Sequence, residues 1–93
     1  MVTSLRKAAK GRECTVRLPG ICNFDPATSV LAHINGAGMG MKSHDLHAAI
    51  CCSSCHDAVD NRVKTRYSSD YLELSLLQGV IRTQQIWING GFI

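Results

Sequence analysis

A small α+β domain, a zinc-stabilised treble clef with an additional C-terminal helix, is what three features of this sequence predict. The first is Cys52-Ser53-Ser54-Cys55-His56, a thiol pair two residues apart followed at once by an imidazole, with Cys14 and Cys22 upstream. The second is a pair of short strand-like segments on either side of a glycine-rich stretch. The third is a helical period from Ser69 to Asn89 that stops at Gly90-Gly91. At 93 residues the chain reads as a single domain, 1–93, small enough for a bound metal to supply a useful share of its stability.

Residues 1–13 read as a basic N-terminal arm with a short helical turn from Leu5 to Ala9. Across the first seventeen residues Arg6, Lys7, Lys10, Arg12 and Arg17 are opposed only by Glu13, on a chain whose formal net charge is +3. Such an arm suits a polyanion, bound by counterion release and therefore salt-sensitive; a solvated tail is the plainer role for the same charges. From Cys14 to Cys22 the residues alternate as in a strand and then turn at Pro19-Gly20, which brings the two cysteines together. Ser29–Ile34 is the first strand. The glycines of Asn35–Gly40 follow as a loop that permits close backbone approach.

His47–Cys51 is the second strand, paired with the first. Ser53 or Ser54 then caps a helix through His56, Val59 and Val63 to about Arg66. On that helix Cys55 and His56 fall on adjacent faces, so thiol and imidazole point to different places. In the last helix, 69–89, Leu72, Leu76, Val80 and Trp87 lie beside Leu74, Leu77, Ile81 and Ile88 in an apolar arc of roughly 200°. So wide an arc is either sandwiched inside the domain or shared with a second copy, as a homodimer through the C-terminal helix.

Cys14, Cys22, Cys52 and Cys55 supply four thiolates for one tetrahedral zinc, a saturated site with no open position for chemistry. The spacing of Cys52 and Cys55 is a usual one for zinc, whereas seven residues between Cys14 and Cys22 is long. Cys51 with Cys55 is a geometrically possible alternative pair; Cys52 is preferred for its shorter spacing, with Cys51 as a small buried hydrophobe. Five cysteines leave one thiol over in any all-disulfide scheme. No run of about eighteen apolar residues marks a membrane span, and Met1–Lys7 lacks the apolar core of a secretory signal. The expectation is a cytoplasmic protein with reduced, metal-binding thiols.

Arg12-Glu13-Cys14, Leu31-Ala32-His33, Gly38-Met39-Gly40-Met41-Lys42, Asp45-Leu46-His47 and Cys52 through Asp57 together resemble the HNH endonucleases, and more closely the prophage-encoded YbcO-type nucleases. The resemblance covers nearly the whole chain. It implies a ββα-metal fold and a metal-dependent endonuclease that hydrolyses DNA phosphodiester bonds. His33 falls at the general base, which a near-neutral imidazole pKa suits. His56 falls at a ligand of a catalytic divalent ion (Mg²⁺, Mn²⁺, Ni²⁺ or Zn²⁺), and His47 stands where the family usually has asparagine. Ala32 replaces an acidic ligand, with Asp45, Asp57 and Asp60 as nearby carboxylates. Lys42, Arg62 and Lys64, with Arg66, would meet DNA phosphates; His44 reads as a solvated loop residue. The alternative, motivated by Ala32 and His47, is a catalytically inactive zinc-stabilised DNA-binding or recombination-accessory module.

Overall fold

The computed structural model describes residues 4–34, 45–60 and 62–92. Helix α1 (Ser4–Ala9) leads into an irregular knuckle, a 3-10 turn (Pro26–Thr28) and strand β1 (Val30–His33). A second 3-10 turn (Asp45–His47) enters strand β2 (Ala48–Cys51), followed by helices α2 (Ser53–Val59) and α3 (Ser69–Asn89). The strands pair antiparallel, with Val30 opposite Cys51 and His33 opposite Ala48. Every residue of β2 is buried. Its small side chains let α3 cross close above it: a Cβ built on Gly79 would lie 2.9 Å from Val16 Cγ2 and 3.1 Å from Ala49 Cβ. Glycine is what allows that crossing.

Two apolar clusters result. One gathers Cys14, Cys22, Cys52 and Cys55 with Val16, Leu18, Leu72 and Val80; the other joins Leu5, Ala9, Ile50 and Trp87. The basic lead-in is therefore docked by its Leu5 and Ala9, and only its cationic side faces solvent. Buried hydroxyls stitch the layers together. Thr15 Oγ1 reaches Ile50 O (2.8 Å), Gly79 O (3.1 Å) and Thr83 Oγ1 (3.1 Å), while Thr83 Oγ1 accepts from Ile50 N–H at 3.0 Å. Replacing Thr83 by valine keeps the shape but orphans that N–H, an expected loss of about 1–3 kcal/mol. The denaturant midpoint of the zinc-loaded protein, at unchanged slope, measures it.

Three local expectations are corrected. Residues 14–22 form no strand: Val16 and Leu18 are buried either side of Arg17, whose φ of 51° breaks an extended run. The α2 N-cap is Cys52, whose Sγ accepts from Cys55 N–H at 3.3 Å, in place of Ser53 or Ser54. Finally, α2 stops at Val59 rather than near Arg66. Val63 is 50% exposed, so a further turn would have had no core to cover.

Candidate metal centre and nucleic-acid interface

The sulfurs of Cys14, Cys22, Cys52 and Cys55 all lie within 4.8 Å of one another, and all four residues are buried. Zn–S bonds of about 2.3 Å in a tetrahedron place sulfurs about 3.8 Å apart, and Cys22 and Cys52 Sγ are 3.8 Å apart. The quartet fits zinc, with Cys52 rather than Cys51 as the fourth member. Local backbone geometry is built around these sulfurs. Arg17 N–H lies 3.4 Å from Cys14 Sγ, and the N–H groups of Phe24 and Leu18 bond Cys22 and Cys55. Arg17 and Phe24 are the two non-glycine residues at positive φ among those described. Their left-handed backbones aim N–H groups at sulfur, which explains strain that non-glycine residues ordinarily avoid.

Without metal the sulfurs share protons. Hydrogen bonds from Cys51 and then Cys55 hold Cys14 far below the ordinary thiol range, and the same contact with Cys14 raises both donors. Burial pushes Cys22 up to about 11. Zinc must displace those protons, so metal affinity rises with pH.

The catalytic reading fails on the same geometry. Among the described residues, the cysteine quartet is the one place where three or more His, Cys, Asp or Glu donors gather as a metal site. A histidine-centred HNH site with His33 as base and His56 on a catalytic ion is thus overturned, and with it the hydrolase assignment and the second ion. Each of two imidazoles has its own carboxylate instead. His33 Nε2 lies 2.7 Å from Oδ1 of buried Asp45, which Arg6 Nε also contacts at 3.3 Å. His56 Nε2 pairs with Asp60 Oδ2 at 3.2 Å, one turn along α2. His47 is exposed at the end of its turn, where its carbonyl accepts from Ile34 N–H at 2.9 Å. The Arg6–Asp45–His33 chain ties α1 to the strand pair, a bracing role that the motif order does not reveal.

The predicted phosphate contacts divide. Lys42, like His44, lies outside the described residues. Arg62 is exposed but shared between Asp57 (3.8 Å) and Asp60 (3.6 Å). Lys64 and Arg66 are exposed, with no carboxylate within ion-pair reach among the described residues. Sequence reasoning passed over the aromatic partners of this loop. Tyr67 and Tyr71 stack with centroids 4.6 Å apart, the Arg66 guanidinium lies 5.5 Å from the Tyr67 ring centre, and Tyr67 Oη donates to Pro19 O at 2.6 Å. That last bond fastens the loop to the knuckle between Cys14 and Cys22. The signal available was the spacing of Tyr67 and Tyr71, one helical turn apart and next to basic residues.

Among the described residues no helix is long and apolar enough to cross a membrane. A family model described as "Putative nuclease YbcO" matches residues 3–92. The chain is 50% identical to proteins of that description from Escherichia coli K12 and from Enterobacteria phage 82, in each case over 99% of this chain and 98% of the relative. A solved structure described as a "putative bacteriophage protein" from Escherichia coli K-12 superposes with a TM-score of 0.82 at 49% identity. It spans 95% of this chain and all of its own.

Proposed function

The chain belongs to the YbcO family, and from that membership we propose that it is a zinc-stabilised DNA-binding module of the recombination-accessory kind, without hydrolytic chemistry of its own. The family's description as nucleases directs attention to nucleic acid as the ligand. One observation carries the reading: the loop bearing Lys64 and Arg66, with its Tyr67–Tyr71 stack, is fastened to the zinc knuckle by the Tyr67–Pro19 bond. Arg66 over the Tyr67 ring, with exposed Lys64 two residues before it on the same loop, combines the cations and aromatics that a sugar–phosphate backbone and its bases require. The exposed Lys7 of α1 and Lys10 just beyond its end supply further positive charge. In this reading residues 1–93 form one module in a reducing, cytoplasmic setting. Its architecture is a treble clef, in which the knuckle gives the first ligand pair and the start of α2 the second.

Fluorescence anisotropy with labelled DNA at several salt concentrations tests the proposal. Binding should weaken steeply with salt, and Lys64→Ala and Arg66→Ala should each lower the log–log slope by about one. Supercoiled plasmid should stay intact with Mg²⁺, Mn²⁺, Ni²⁺ or Zn²⁺. Absence of binding at low salt, or nicking that disappears in His33→Ala, would overturn it.

A further inference from the structure

We propose that α3 pairs antiparallel with α3 of a second copy of this chain, about a two-fold axis passing beside Ile81. The apolar arc of this helix is divided between two opposite faces. Leu72, Val80 and Trp87 are buried toward β2, while Leu74, Leu77, Ile81 and Ile88 remain 52%, 47%, 62% and 55% exposed on the outer side. At 100° per residue the outward stripe is centred almost opposite the buried face once Ser75, Gly79 and Thr83 are counted with Leu72, Val80 and Trp87. It is not the margin of the core.

Three properties of the stripe select a copy of itself as its occupant. Leu74, Ile81 and Ile88 repeat at heptad spacing, the period at which one helix seats against another. Three of the four positions are also symmetric about Ile81: reversing the partner helix sets Leu74 against Ile88, Ile81 against its own counterpart and Ile88 against Leu74, while Leu77 meets the aliphatic stem of Gln85. That self-complementarity is what an isologous interface demands, and antiparallel helices align their dipoles favourably. Charge is the third property. From Tyr71 to Phe92 the chain carries Glu73 and Arg82 alone, and Arg82 is turned inward, donating from Nη1 to Thr15 O at 2.8 Å. Asp70 and Glu73 are exposed at the N-terminal end of this face, and reversal about Ile81 sets them against the uncharged C-terminal end, so the face meets no like charge in its own copy.

The four side chains expose on the order of 400 Å² of apolar surface per copy, as large as the main patch of a typical monomer. With flanking Gln78, Gln85 and Asn89, the buried area reaches the low end of specific interfaces, roughly 1,000–1,200 Å² in total. An interface of that size corresponds to a reversible rather than an obligate dimer.

Sedimentation equilibrium of the zinc-loaded protein should give a mass rising with concentration from 10.1 kDa toward twice that value. Ile81→Glu, which sets two carboxylates face to face on the axis, should remain monomeric with unchanged zinc content and helicity. Ile81→Cys in the zinc-loaded chain should form an intermolecular disulfide on mild oxidation, because that position faces itself. A wild-type protein that is monomeric at every concentration, an Ile81→Glu variant that still dimerises, or an Ile81→Cys variant that fails to cross-link would each overturn the proposal. The first outcome would leave the stripe to a different apolar partner.

Discussion

Metal-free protein, prepared with a chelator or as Cys22→Ser, is expected to be unfolded at temperatures where the zinc-loaded chain is native. Structural zinc sites contribute about 10–16 kcal/mol of apparent binding free energy at neutral pH, whereas a small domain keeps only about 5–15 kcal/mol of net stability. The ligands here are also part of the packing. Cys14, Cys22, Cys52 and Cys55 belong to the same cluster as Val16, Leu18, Leu72 and Val80, so losing the ion removes the tether and leaves thiols to be accommodated inside the core. Cys22 is the informative position because Cys51 adjoins Cys14 and Cys55, where a spare sulfur can blunt a substitution. Circular dichroism melts alongside zinc content provide the measurement. A metal-free chain that melts cooperatively at the temperature of the loaded one would refute the assignment.

Trp87→Ala should have the next largest effect, a loss of about 3–5 kcal/mol. The indole is fully buried with Leu5, Ala9 and Ile50, lies under the Arg12 guanidinium at 5.5 Å, and meets Phe92 edge-on at 5.1 Å. Its removal opens a cavity beneath α1, which six residues of helix cannot survive alone. Amide exchange should therefore accelerate first at Leu5–Ala9, before global unfolding. Trp87→Phe separates the causes: Nε1 has no hydrogen-bond partner among the described residues, so losing that donor costs little and the change should reflect volume alone. Equal losses in both variants would contradict this account.

The metal centre was largely legible in the sequence because thiolate chemistry is demanding. Four ligands are needed, few residues qualify, and the spacing of Cys52 and Cys55 suits a turn closed by an N–H···S bond. The knuckle misled because buried Val16 and Leu18 imitate strand alternation, while the left-handed Arg17 between them depends on a sulfur that sequence order does not place nearby. Catalysis was read from the order of His33, His47 and His56. What decides the role of His33 is Asp45, 12 residues beyond it and 39 beyond Arg6, and such a long-range partner leaves no local trace; His56 meets Asp60 one turn along its own helix. For α3 the width of the apolar arc was visible, but choosing its inner half required β2 and the steric gap at Gly79.

Cys51 carries a practical consequence for anyone handling the protein. The four mutually close thiols of the quartet, with Cys51 against Cys14 and Cys55, mean that oxidation of demetallated material has several competing pairings. Air exposure would then trap scrambled chains that reload poorly, so recovery experiments require reductant throughout, and replacing Cys51 with alanine should make reconstitution cleaner.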